Sequence, residues 1–185
     1  IDFAPALTAN GPTTILLTQG ELKITDALTL TGPGANLLTI DASGSDPTPN
    51  LNNGDGSRVF NIDDGNLTNF SLVSLRGLTL TGGDTNSGGG AILSRERLLI
   101  ERNVIRDNAT IGPGGGILAR FGEVYITGST LSGNVATSHG GGIYHRGDFQ
   151  NQFAKLTITD STIRDNTAGG NGGVFAVELA RQLQM

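Results

Sequence analysis

Apolar and polar residues alternate in short runs along most of the chain. Val73-Ser74-Leu75-Arg76, Leu98-Leu99-Ile100-Glu101, Val124-Tyr125-Ile126-Thr127 and Leu156-Thr157-Ile158-Thr159 are four such runs. A period of two sends successive side chains to opposite faces of a strand. Each of the last three runs leads into a tetrapeptide, Ile105-Arg106-Asp107-Asn108, Leu131-Ser132-Gly133-Asn134 and Ile163-Arg164-Asp165-Asn166. Glycine-rich segments recur as well: Gly89-Gly90-Ala91-Ile92, Gly114-Gly115-Gly116-Ile117 and Gly140-Gly141-Gly142-Ile143, with a degenerate fourth at Gly172-Gly173-Val174-Phe175. From Ile92 to Ile117 is 25 residues, from Ile117 to Ile143 is 26, and from Ile143 to Val174 is 31. The longer interval implies an insertion around Gly147 to Phe153.

Two independent motifs sharing one period mark a solenoid. Each repeat holds three short strands, which is one coil of an all-β, right-handed parallel β-helix with coils of about 25 residues. The hexapeptide coil of a left-handed helix is too short for this period, and the pattern of a leucine-rich repeat is missing. Stacking then predicts inward aliphatic columns: Val73, Leu98, Val124, Leu156; Leu75, Ile100, Ile126, Ile158; Leu80, Ile105, Leu131, Ile163; and Ile92, Ile117, Ile143, Val174. It also predicts an amide ladder through Asn108, Asn134 and Asn166 at one corner, where Asn would tolerate left-handed backbone angles.

A single domain is expected over residues 1–176, with irregular N-terminal coils, a polar surface loop at 41–58 and regular coils at 72–176. Leu22 to Thr25 and Leu28 to Gly32 read like Leu75 to Gly82, so coiling is expected to begin before Glu21. Residues 177–185 lose the repeat and read as a C-terminal cap or tail.

Composition narrows the class. The 29 glycines among 185 residues are about twice the usual share, and the seven Phe and two Tyr are the only aromatic residues. Without the three-residue period of collagen, this points to many tight turns. A net charge of −5 excludes a nucleic-acid partner, which needs an excess of cations on one face. Nowhere does an apolar run approach the roughly 20 residues of a membrane-spanning helix, so no membrane span is expected. The absence of Cys rules out disulfides and thiolate metal sites. A start at Ile1 reads as a fragment or a mature domain.

These motifs carry a resemblance. Gly89-Gly90-Ala91-Ile92 resembles the GGA(I/L/V) half, and the tetrapeptides ending at Asn108, Asn134 and Asn166 resemble the FxxN half, of the repeat of polymorphic outer-membrane proteins, with the Phe replaced in all three. The run from Leu22 to Ala176 is similar more broadly to secreted bacterial β-helix repeat proteins. The resemblance implies a secreted or surface-displayed bacterial module for adhesion or structural support. It brings no activity with it, because β-helices host unrelated functions.

The enzymatic alternative is a polysaccharide lyase or glycoside hydrolase, which needs clustered carboxylates. Asp107 and Asp165 are two coils apart with Gly133 between them. Asn61-Ile62-Asp63-Asp64 combined with His139-Gly140 lacks a basic partner at the right spacing and reads as a turn. His139 and His145 read as solvated residues. No catalytic residue, cofactor or metal site is therefore expected. The loop containing Asn50, Asn52, Asn53 and Asp55 is rich in oxygen ligands but lacks spaced carboxylates, and Gly169-Gly170-Asn171-Gly172 lacks an Asp, so both read as turns. Outward Thr pairs such as Thr79 and Thr81 are interrupted by Glu101 and Arg106, against an ice-binding face.

Binding is better placed beside the Ile92 column. Leu93, Leu118, Tyr144 and Phe175 follow it and should form an outward apolar stripe. Two places further, Arg95, Arg120 and Arg146 should stack as like charges, which is unfavourable unless acids or an anionic ligand intervene. Glu96, Glu123 and Asp148 are the acids expected to neutralise them. Otherwise the ladder, together with Tyr144, is the candidate site for an anionic glycan or a host or cell-surface protein. Unpaired terminal rungs would also permit end-to-end self-association.

Overall fold

The structure is a computed structural model that describes residues 1–66, 68–147, 155–173 and 175–178. It is a parallel β-helix. Three main sheets run its length, and every pairing within them is parallel. The first sheet stacks Leu28–Thr31, Leu72–Arg76, Arg97–Glu101, Val124–Thr127 and Leu156–Thr159. The second runs from Thr13–Leu16 through Leu38–Asp41, Thr79–Thr81, Val104–Arg106 and Thr130–Ser132 to Thr162–Arg164. The third stacks Leu22–Ile24, Phe60–Ile62, Ile92–Ser94, Ile117–Arg120, Ile143–Arg146 and Phe175–Glu178. In chain order each coil passes from the third sheet to the first and then the second.

Between the second sheet and the third lies a shorter ladder of two-residue strands, Asp84–Thr85, Ala109–Thr110, Val135–Ala136 and Thr167–Ala168. Segments this short carry no readable alternation, so the sequence did not announce this fourth ladder.

The aliphatic columns stack as the repeat requires. Leu98 pairs with Val73 and Val124, and Ile100 with Leu75 and Ile126. Ile105 pairs with Leu80 and Leu131, and Ile117 with Ile92 and Ile143. All of these are buried at 0% exposure. Each such side chain contributes roughly 1.5–3 kcal/mol by leaving water, and only a neighbouring coil can cover it.

Three registers differ from the sequence reading. Phe175, not Val174, stands opposite Ile143, and the pairing continues through His145 with Val177 and Arg146 with Glu178. The repeat therefore persists two residues past Ala176. Leu28–Thr31 lies beside Val73–Arg76, while Leu38–Asp41 provides the match to Thr79–Thr81. The Leu-Thr pattern is common to two sheets, so composition alone could not choose between them. Finally, Leu22–Ile24 belongs to the third sheet, beside Phe60–Ile62.

The corners explain the motifs. At the corner after the second sheet, the left-handed position is held by Gly82, Asp107, Gly133 and Asp165, with φ of 70°, 55°, 65° and 57°. The ladder Asn residues follow it and are not themselves left-handed. This corrects the expected role of the Asn backbone. Their side chains turn inward instead. Asn108 Nδ2 donates to Asn134 Oδ1 at 3.0 Å, and Asn134 Nδ2 to Asn166 Oδ1 at 2.9 Å. Each amide also caps a strand-end carbonyl of the preceding coil, Leu80, Ile105 and Leu131 respectively.

The corner after the first sheet repeats this logic with Arg102, Gly128 and Asp160 left-handed, followed by Asn103, Ser129 and Ser161. Asn103 Oδ1 accepts from Leu78 N, and the Ser129 and Ser161 hydroxyls accept from the next residues down the column. This second polar ladder mixes Asn with Ser and so hid from a search for one repeated residue.

The chain start packs on the first coil. Ile1 N donates to Thr29 O, Asp2 bridges to Thr31, and Phe3 and Leu7 lie against the core.

Candidate functional site

The third sheet presents the stacked arginines. Arg120 pairs directly with Arg146, and Ser94 with Ala119 places Arg95 next in the same column. Like side chains on adjacent parallel strands sit roughly 4.8 Å apart at the backbone. The column is bounded by acids that the sequence reading did not assign. Asp63 Oδ2 accepts from Arg95 Nη1 at 2.7 Å, and Glu178 is in register beyond Arg146.

Two of the three acids expected to neutralise the ladder, Glu96 and Glu123, are engaged elsewhere. Glu96 is 2% exposed and holds a loop, its Oε1 accepting from Asp64 N and its Oε2 from Ser71 N at 2.7 Å. Glu123 pairs with Arg97 at 3.4 Å and accepts from the Tyr125 hydroxyl. Asp148 lies outside the described residues. Among the described residues no carboxylate is within ion-pair distance of Arg120. Burial holds the Arg120 guanidinium below its usual range, and the neighbouring Arg95 and Arg146 push it the same way.

The adjoining apolar stripe is not open, contrary to expectation. Leu118 is fully buried and Tyr144 is 9% exposed, with the Tyr144 ring stacked on His139 at 6.2 Å. The glycine-rich turn of the preceding coil, just before Ile92–Ser94, folds over Leu118. At Gly88 a Cβ would stand 2.7 Å from Leu118 Cδ2, so the turn lies directly on the leucine. Phe175 does not continue the Leu118 column, because Ala176 stands in register with Tyr144.

His145 is the larger correction. Rather than a solvated neighbour of Arg146, it points inward in the column of Ser94 and Ala119 and is 0% exposed. Its Nε2 is 2.9 Å from Gly122 O and so acts as the donor, while Nδ1 has no partner. Burial lowers its pKa, partly offset by the bond to Gly122. His139 is half-buried, with Nδ1 accepting from Asn171 N.

Where the ladder meets the first sheet, a cleft of about 340 Å³ opens between Thr68, Asn69, Phe70, Arg97, Phe121 and Glu123. Phe121 directly follows Arg120 and is held in the left-handed region, φ 74°, with its N–H bonded to Arg146 O. Arg58 is 5% exposed, bonded to Thr85 Oγ1 and Ser87 Oγ and 3.5 Å from Glu21. Sequence reasoning missed it because Arg58 precedes the recognisable coils. Cation, aromatic and amide groups thus share one edge of the spiral.

The carboxylates singled out in the sequence are each engaged by neighbouring protein groups. Asp63 is held by Arg95, Asp64 accepts from the Ser71 hydroxyl, and Glu96 accepts from the Asp64 and Ser71 backbone N–H groups. The Asn66 backbone N–H lowers the Asp64 pKa, whereas burial raises that of Glu96. Asp107 and Asp165 each bond the arginine before them, Arg106 and Arg164.

Neither a curated protein nor a solved structure matches the chain. The family described as Protein of unknown function (DUF1565) matches over residues 14–184, which takes in almost every coil. A chain whose coils stack in four parallel ladders, with an arginine column along one of them, therefore belongs to that family of β-helix-like proteins.

Proposed function

We propose that this protein is a non-enzymatic surface or secreted module, in the manner of the adhesin repeats its motifs resemble, and that it docks an anionic glycan along Arg95, Arg120 and Arg146. The observation that carries this reading is Arg120, flanked by two arginines with no described carboxylate in reach. A column of carboxylates or sulfates spaced along a sugar chain would relieve that repulsion, because charge-assisted bonds to guanidinium are strong and bidentate. Phe70 and Phe121 in the adjacent cleft offer apolar faces for sugar rings. Adhesion or a structural role at a cell surface follows from such binding and from the rigidity of the stacked coils.

The test compares the native protein with an Arg95→Ala, Arg120→Ala, Arg146→Ala triple variant in affinity electrophoresis against polygalacturonate and heparin. Native protein should be retarded and released by salt, and the triple variant should lose at least tenfold in affinity. No retardation of the native protein, or equal retardation of both, refutes the glycan reading.

A further inference from the structure

A second constellation joins the 41–58 loop to the start of the short fourth ladder. Asp84 begins the short fourth ladder, in register with Ala109, and the same column continues through Val135 and Thr167. Ala109 is buried, and Asp84 is only 4% exposed. A carboxylate in a position that otherwise takes apolar or uncharged side chains needs a compensating partner.

That compensation is half complete. Asp84 Oδ2 accepts from Asn53 N at 3.0 Å and Gly54 N at 2.9 Å. Its Oδ1 is buried with no hydrogen-bond partner. Asp46 and Asp55 from the loop each bring a carboxylate oxygen to within 4.8 Å of an Asp84 oxygen and of each other. Gly56 is required for this approach, since a Cβ there would be 2.9 Å from Asp46 Cβ and 3.0 Å from Asp84 O.

We propose that Asp46, Asp55 and Asp84 bind one Ca²⁺ ion, which clamps the 41–58 loop onto the coil that follows it. Ca²⁺ takes oxygen ligands at roughly 2.3–2.6 Å, so two oxygens on one ion lie up to about 5 Å apart. The observed spacing lets all three carboxylates touch the same ion. The orphan Oδ1 of Asp84 supplies the buried ligand, and the Thr48 hydroxyl and Asn53 side-chain carbonyl lie next to Asp55 to enlarge the set. A set of oxygens alone, with no His or Cys, selects a hard cation over Zn²⁺. Irregular loop geometry favours Ca²⁺ over the strict octahedron of Mg²⁺. The sequence concealed this site because Asp84 lies 29 residues beyond Asp55 and looks like an ordinary turn residue.

The experiment is calorimetric titration of EDTA-treated, dialysed full chain with CaCl₂ and, separately, MgCl₂, together with thermal melts at 0 and 5 mM of each ion. One Ca²⁺ should bind per chain with a dissociation constant below about 1 mM, raising the melting temperature, and Mg²⁺ should bind at least tenfold more weakly. Asp84→Asn keeps the acceptor for Asn53 and Gly54, and should weaken Ca²⁺ binding at least tenfold. Asp55→Asn, at an exposed position, should do likewise and serves as the measurement if Asp84→Asn does not fold. Absence of a Ca²⁺-dependent heat or melting shift in the native chain overturns the proposal. So does undiminished binding by Asp55→Asn, or by a folded Asp84→Asn.

Discussion

His145 is a neutral imidazole in an aliphatic interior, and that single residue gives the protein a pH dependence. Its Nε2–H meets Gly122 O, and Nδ1 faces no donor, so the ring has nothing to gain from a second proton. Burial lowers its folded pKa below the ordinary 6.5. The unfolded chain then binds more protons than the folded one between those two values. Stability contributed by this residue is complete above pH 6.5 and falls as pH drops from 6.5 toward the folded value, with a slope of at most about 1.4 kcal/mol per pH unit. Glu96 and Asp46, raised by burial, act in the opposite sense at lower pH. Comparison with His145→Gln, which retains a donor for Gly122, isolates the histidine. Urea melts from pH 7.5 to 5 should show the native protein losing stability relative to the variant. Parallel profiles would mean that His145 is not desolvated in the folded state. An alternating pattern did place residue 145 next to Arg146, but it could not say that this strand turns its histidine in.

At the scale of the element, each glycine of the recurring triplet answers to a different constraint. The first, at 89, 114 and 140, has φ of 66°, 74° and 64°, the left-handed region that L side chains avoid. The second is set by its neighbours. A Cβ on Gly90, Gly115 or Gly141 would stand 2.1, 2.3 or 2.4 Å from the glycine carbonyl of the next coil, at Gly115, Gly141 and Gly173. Gly115→Ala therefore forces coils apart, and should cost about 3 kcal/mol or more. Gly65→Ala tests left-handed strain alone, because φ there is 80° and nothing lies within 4 Å; it should cost roughly 1 kcal/mol. Chemical denaturation of the two variants checks the difference, and equal losses would refute close stacking at the triplet. The asparagine corner is legible for a related reason. One amide satisfies a neighbour's amide and a strand-end carbonyl at once, so the same residue recurs at each coil. Asn103, Ser129 and Ser161 do a similar job with mixed residues, and their ladder was invisible until the coils were stacked.

Across the whole molecule, negative charge is in excess, 17 acids against 12 cations, yet three arginines share one column. Arg120 stands between two like charges and is desolvated as well. Its removal should leave the unliganded protein equally stable or slightly more so, within about 0.5 kcal/mol of neutral on the stabilising side, while binding to polygalacturonate weakens. Arg95→Ala, by contrast, releases Asp63 from its ion pair and should not stabilise. Thermal melts at low salt separate the two variants, and a clear loss of stability in Arg120→Ala would show that Arg120 serves the fold.

The repeat by itself determined the coil, its length and the aliphatic columns, because an interior that only a neighbouring turn can cover must carry the same residue type at the same place in each turn. Asn108, Asn134 and Asn166 were readable on the same ground. What tertiary structure alone decided was whatever depends on residues far apart in the chain or on which way a short strand faces. It covered Leu118 with a glycine-rich turn, sent His145 inward, gave Arg95 to Asp63, and brought Asp84 against Asp46 and Asp55. None of these recurs from coil to coil, and a pattern search sees only what recurs.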